Sequence, residues 1–388
     1  MNRPFLLLSL AALLLGACSS GKTAFQKGQY DLAAKKAAER LRQNPGLSRR
    51  GHGLALLVLE RAFVRGYQQH QETIRRLTAP GNTTPFRWES VHAEYGALQT
   101  LTNNALSCAA CSTWLSQYPT SYRDRQTDAR ELAAADRYEA AEQAFSYRET
   151  NRLAAKDAYL NYRKAADWVP GYRQTLAKSE DALPFAILRV VVEPLGPTRE
   201  ISPADNQELE SLILRDIGRN PPPSSFVRLY PPSAGAGDGY TIHQAIQMQV
   251  TDYTPYRDYT SSSSTTVYSN QAYKVGEKKI NDSTTVDIME KVSGTLTTYR
   301  REISAGLSLK LRAIDTQDGR ELWQDGVWES QNWATEWQTF SGDDRALNGS
   351  SLKTAAAFVP SRWSLYDTMR DDLAGDVARY LRRRYERD

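Results

Sequence analysis

The sequence predicts an α+β protein: a helical N-terminal domain, then an α/β sandwich with a long antiparallel meander and a C-terminal helix. Three observations predict it. Apolar residues recur every three to four positions through much of 24–183. A β-branched run follows Pro184, and from Thr241 to Trp328 the pattern is mostly of period two. A helical stripe then returns over 364–387. The chain has 388 residues, so at ~100–200 residues per domain two are expected, placed at 24–183 and 184–388. Forty per cent hydrophobic content excludes a wholly disordered chain, and the length excludes a disulfide-stapled miniprotein. Lys and Arg total 49 against 45 Asp and Glu, a net charge of +4. That balance lacks the basic excess a nucleic-acid binder needs to displace counterions, so no nucleic-acid partner is expected.

Residues 1–20 read MNRPFLLLSLAALLLGACSS. Arg3 supplies a positive start, and Phe5–Leu15 is an apolar stretch broken only by Ser9. A helix needs ~20 apolar residues to cross a bilayer, so this stretch fits a secretory leader instead. No other stretch of the chain is apolar enough to cross as a helix. The ending Leu15-Gly16-Ala17-Cys18 resembles the lipobox of bacterial lipoproteins. The resemblance implies cleavage after a signal peptide of residues 1–17 and lipidation of the Cys18 thiol by palmitate-type chains. Residues 18–23 would be a lipid-anchored tether. Ser19, in place of Asp, implies sorting to the outer membrane, and the absence of an acidic cluster after Ser20 implies the periplasmic face.

The first helical run is 24–46, ended by Pro45-Gly46. Gly28, Tyr30, Ala33 and Pro45 fall at the spacing of the second half of a tetratricopeptide repeat, which this segment resembles. Arg40 departs from that pattern, occupying a position where the family prefers alanine. Further helices are expected over 53–78 and 87–107 from their apolar spacing. A second repeat-like pair lies in 134–172, with Tyr138, Ala141 and Phe145 on one helix and Ala154, Ala158, Tyr162 and Ala165 on the next. Such pairs stack into a solenoid with a concave face that can hold a peptide or a partner protein, or form a bundle that only supports the next domain.

In the second half, Phe185–Val192 reads as a buried strand. Ser202-Pro203-Ala204-Asp205 starts a helix, with a capping serine and proline at its first position. Leu209, Leu212, Ile213 and Ile217 share a face of it, and Phe226–Tyr230 is a short strand. Leu307, Leu309, Leu311 and Ala313 alternate with Ser308, Lys310 and Arg312, giving one buried and one solvated face. Asp315–Arg320 is a hairpin turn, with Glu321–Trp328 returning. The Ser/Thr/Tyr-rich stretch 254–300 predicts long solvated strands or a protruding hairpin. The last helix aligns Leu365, Met369, Leu373, Val377 and Leu381 and ends in basic residues. This order of elements, with the turn Asp315…Asp318-Gly319…Leu322-Trp323, is similar to the α/β domains of envelope assembly lipoproteins such as the curli secretion-channel family. One departure matters: the membrane-spanning hairpins of that family need alternating lipid-facing apolar residues, and 256–300 is too polar for a pore.

Candidate chemistry is sparse. Cys108-Ala109-Ala110-Cys111 is a C-x-x-C without the strand-then-helix setting of a redox motif, so a structural disulfide or two packed thiols is expected. His52, His70, His92 and His243 show no metal-ligand spacing, and neither a metal nor another cofactor is expected. Ser350-Ser351-Leu352-Lys353 matches S-x-x-K without its partner motifs. Gly235–Gly239 reads as a flexible loop. The densest anomaly is Trp323, Trp328, Trp333 and Trp337, followed by Asp343 and Asp344. These residues either close the end of the sandwich or form an aromatic row beside paired acids that binds a partner or a glycan. The sequence therefore predicts a non-catalytic, lipid-anchored envelope scaffold or assembly and secretion accessory with an envelope protein partner. A glycan- or peptidoglycan-binding lipoprotein using 323–337 is the second reading, and a periplasmic enzyme the third.

Overall fold

The computed structural model describes residues 20–43, 49–232, 239–281 and 283–388. The leader, Cys18, Pro45-Gly46 and most of the Gly235–Gly239 loop lie outside the described residues. The fold is α+β, as the sequence predicts, and it separates into two compact units between Ala186 and Ile187. No helix among the described residues is long and apolar enough to cross a membrane.

The first unit is helical: α1 (Lys22–Gln26), α2 (Tyr30–Arg42), α3 (Arg49–Thr78), α4 (Arg87–Leu106), α5 (Ser112–Leu115), α6 (Arg123–Phe145), α7 (Arg152–Trp168) and α8 (Thr175–Ala186). Helices α2, α3 and α4 pack in sequence, and so do α6, α7 and α8. Lys22 and Thr23, read as tether, open α1 instead, because Ala24 is buried and Gly21 turns the chain with φ of 78°. A side chain at Gly21 would collide with the backbone of Ala33. The predicted run 24–46 is broken at Gly28, also at positive φ, and the Tyr30 ring packs 5.6 Å from Phe25 across that turn. Ala33, Ala34, Ala37 and Ala38 are fully buried, which lets α2 approach α3 closely. Arg40 is buried too; its guanidinium reaches Gln43 Oε1 at 2.6 Å instead of facing water. Helix α6 starts at Arg123, upstream of the predicted 134, and α7 is capped by Asn151, whose side chain accepts from the N–H groups of Leu153 and Ala154.

The expected boundary at 183/184 shifts because Pro184 lies inside α8, where Ala182 and Ala186 extend the buried face. The strand starts later, as β1 (Leu188–Gly196). The second unit continues with α9 (Pro203–Arg219), β2 (Val227–Tyr230), β3 (Gln244–Asn281), β4 (Thr284–Asp315), β5 (Glu321–Gly342) and α10 (Arg362–Arg384). One mixed sheet forms in the order β2-β1-β3-β4-β5. Strand β1 is parallel to β2 and β3, and the rest is an antiparallel meander. Ser202 caps α9 by accepting from Asp205 N–H, with Pro203 in the first turn. Helices α9 and α10 cover one sheet face. Leu209, Ile213 and the stripe Met369, Leu373, Val377, Leu381 bury Val190, Val192, Ile246, Met248 and the odd-numbered residues of 305–313.

Candidate functional site

The meander strands greatly outgrow this core. Strand β3 has 38 residues and β4 has 32, against a usual three to ten. At ~3.3 Å per residue, β3 extends roughly 125 Å, whereas α10, at ~1.5 Å per residue, covers about 35 Å. Beyond Tyr253, no residue of β3 belongs to the core cluster under α9 and α10. The stretch Thr260–Thr266 is wholly Ser and Thr, and all of it but Ser261 is exposed. Pro255, which cannot donate to a ladder, sits in the register shift between Thr254 and Arg257. Asp258 grips Arg301 bidentately across the ribbon at 2.9 and 2.6 Å, and that hydrogen-bonded guanidinium holds the Asp258 carboxyl below the usual carboxylate range.

The two long edges differ. The β5 edge is partly covered: Gln338 N–H donates to Lys353 O at 2.9 Å, Ala356 N–H to Thr335 Oγ1 at 2.8 Å, and Lys353 Nζ meets Glu336 at 3.0 Å. The β3 edge has β1 beside it only as far as Gln249; among the described residues, no strand pairs with it from there to Asn281. Midway, the 3-10 turn Asp344–Leu347 and Asn348 clasp the ribbon. The Asn348 carboxamide accepts from Asn270 N–H at 2.7 Å and donates to Tyr268 O at 3.0 Å.

The four tryptophans do not form one row. Strand β5 runs through all of them, so Trp323, Trp333 and Trp337 take the face that α10 covers near Trp323, and Trp328 takes the opposite face. From Trp323 to Trp337 the strand covers ~46 Å. Trp323 is half-buried against Tyr380 and Tyr385, and Trp337 stacks on Tyr299 with centroids 5.2 Å apart. None of the four is fully buried, and Trp328 is 68% exposed, so neither a plug nor a single platform describes them. Asp343 is engaged by its own turn, pairing with the Arg345 guanidinium at 2.9 and 2.6 Å and capping Arg345 N–H. Arg345 therefore holds its carboxyl below the ordinary range, and Asp343 is not a free acid beside the rings. Asp344 is exposed on the same turn.

In the helical unit, Cys108 and Cys111 form a disulfide with Cα atoms 5.4 Å apart, between α4 and α5. Both are buried among Leu101, Ala105 and Leu115. Glu89 joins three helices: its Oε1 accepts from Arg137 Nε at 2.6 Å and Trp168 Nε1 at 3.0 Å. Burial pushes its carboxyl up, but these two hydrogen bonds outweigh it and hold the group below its ordinary value. Beside this network, an open 650 Å³ groove is lined by Phe86, Arg137, Leu160, Asn161 and Lys164. Among the described residues, no group of three His, Cys, Asp or Glu side chains can hold a metal ion.

Sequence reasoning missed the functional potential of the sheet face opposite the helices. Its lining alternates with the core residues, so the same period that revealed the core marked Lys310 and Arg312 only as solvated. The chain matches no protein-family model, and no curated protein matches it.

Proposed function

We propose that this chain is a non-catalytic, lipid-anchored cell-envelope protein that acts as a scaffold or assembly accessory by docking a partner protein along its β3–β4 ribbon. The observation that supports this reading is the open β3 edge. A strand edge with no strand beside it is a template for another, here on either side of the Asn348 clasp, and a ribbon that outgrows its own core has another use for its length. The lipobox-like Leu15–Cys18 supplies the anchor, and the helical unit offers a second binding surface through its groove.

A photo-crosslinking amino acid placed at Ser262 on the ribbon, and at Ser211 on α9 as a control, tests it in intact envelopes. One discrete adduct from position 262, absent from 211 and lost with Ser264→Pro on the β3 edge, is expected. Equal yields from both positions, or no adduct, would overturn the docking role. Metabolic labelling with a palmitate analogue, abolished by Cys18→Ala, checks the anchor.

A further inference from the structure

We infer that the face of the second unit's sheet opposite α9 and α10 is a binding trough for an acidic glycan, centred on Lys310 and closed at one end by Trp328.

The trough arises from register. Across four strands, Gly196 lies beside Gln249, Gln249 beside Lys310, and Lys310 beside Gly326. All four positions are on the face opposite α9 and α10, since their strand neighbours Met248, Leu309 and Leu311 are in the core. The row begins and ends in glycine, so the floor is low on both sides of the central pair. Above Gly326 the space is open: a Cβ there would meet only Leu309 O, at 3.8 Å. Two depressions follow from this, of 380 Å³ toward Gly196 and 470 Å³ toward Gly326, and Lys310 lines both. From β1 to β5 the trough crosses three strand spacings, ~14 Å in all.

Its walls carry mixed chemistry. On one side stand Gln247, Arg312 and Gln324, which follow one another in register across β3, β4 and β5. Two acids also line the depressions, Glu193 toward Gly196 and Asp325 toward Gly326, the latter accepting from the Tyr380 hydroxyl at 2.5 Å. On the other stands Trp328, opposite Ser308, with its indole mostly in water. Carboxamides offer both donors and acceptors, a match for sugar hydroxyls, whereas the flat indole matches the apolar C–H face of a pyranose. The Lys310 ammonium has no ion pair or hydrogen bond among the described residues, although the residue is half-buried in the trough. Arg312 is already engaged, with Nη2 donating to Gln247 Oε1 and Nη1 lying 3.9 Å from Glu321, so Lys310 is the cation left to meet the ligand. An unpaired ammonium diagonal to an exposed indole, roughly 7–8 Å away along the ladder, calls for a ligand bearing both a ring and a carboxylate.

The same features weigh against other anionic polymers. Two cations on a chain of net charge +4 do not make the phosphate-tracking stripe of a nucleic-acid groove. Acidic peptides that bind sheets do so along a free edge, whereas this trough runs across the strands over side chains. The site is independent of the ribbon edge, so either can fail alone.

Calorimetric titration of the purified protein with oligogalacturonate tests the inference, with neutral cello-oligosaccharide, oligothymidylate and polyglutamate as parallel probes. Saturable binding of oligogalacturonate is expected, with tryptophan fluorescence changing in step. Trp328→Ala and Lys310→Met should each weaken it about tenfold or more, a loss of ~1.4 kcal/mol or greater. Trp333→Ala, on the other face, should leave it unchanged. Neither trough side chain is buried, and circular dichroism of each variant checks that it folds. No binding of oligogalacturonate, equal binding by Trp328→Ala, or tighter binding of cello-oligosaccharide, oligothymidylate or polyglutamate would overturn it.

Discussion

His70 Nε2 lies 3.1 Å from Asp31 Oδ1, so α3 is fastened to α2 across 39 positions of sequence. The other ring nitrogen, Nδ1, meets Glu94 Oε2 on α4 at 2.5 Å. One imidazole thus bridges three helices, and a doubly protonated ring donates to both acids at once. The hydrogen bond to Asp31 raises the His70 pKa most, burial opposes it, and Glu94 adds to the rise.

The first prediction follows from that sign. A histidine whose pKa is raised on folding contributes stability that is full below its unfolded value of about 6.5 and is lost as pH rises through the folded value. His92 contributes with the opposite sign, because burial and then Arg130 lower its pKa. The wild-type profile therefore mixes the two, and the informative quantity is the difference from His70→Gln. Thermal melts should show the variant less stable than wild type at mildly acidic pH, with the gap narrowing as pH rises. A gap that widens with pH would contradict the bridge.

Glu89 carries the second prediction. Removing it with Glu89→Ala leaves Arg137 Nε–H and the Trp168 indole N–H without their acceptor between α4, α6 and α7, while Arg137 Nη1 keeps Asn161 Oδ1 at 2.9 Å. Both partners of the ion pair are less than a quarter exposed, at 20% and 23%. The expected cost is about 1–3 kcal/mol in chemical denaturation of the helical unit. Trp168 emission should shift to the red, and the 650 Å³ groove beside Arg137 should lose its shape.

How far the fold could be read depended on whether a residue's neighbours were near in sequence. The stripe of α10 and the cap at Ser202 were legible, because helix periodicity and capping are local. The turn at Asp315–Arg320 was legible for the same reason: Gly319 N–H bonds back to Asp315 O at 3.0 Å within six residues. Strand β5 was read as ending at Trp328, yet it continues to Gly342. Gln331, whose carboxamide donates to Asp372 on α10 at 3.2 Å, is the limit of that cover: no residue of 329–342 belongs to the core cluster under the helices, so apolar alternation fades and pairing with β4 defines the strand. The Lys310 trough was not legible at all. Gly196, Gln249, Lys310 and Gly326 are far apart in the chain and meet only through register.

The disulfide supports a third prediction. Cys108 and Cys111 close a very short loop, so the entropy removed from the unfolded chain is small, on the order of 2 kcal/mol. Replacing both with serine should lower the melting temperature of the helical unit by a few degrees. The sheet unit's transition should stay where it is. The untreated protein, cleaved before or after Cys18, should show no alkylatable thiol at these two positions, and mass spectrometry of tryptic peptides with and without reductant checks this.

The ribbon's joint with β5 yields the last prediction. The Phe340 ring lies over Gly294, its cross-strand diagonal, and a Cβ at Gly294 would come within 2.1 Å of the ring's Cζ. Aromatic cover of a strand glycine protects backbone that would otherwise be wet, and it holds only while the glycine stays bare. Gly342, at φ of 142°, approaches the same point from the end of β5, where a side chain would strike Gly294 itself. Gly294→Val should therefore force the ring off, at about 1–3 kcal/mol. It should also speed amide exchange in 284–293, where β4 has only β3 beside it. Phe340→Ala alone should cost less and leave Gly294 exposed. In the double variant the valine has room, so the penalties should add to less than their sum. Strict additivity would mean that the ring and the glycine do not share this site and that the ribbon's direction is set elsewhere, at the Asn348 clasp.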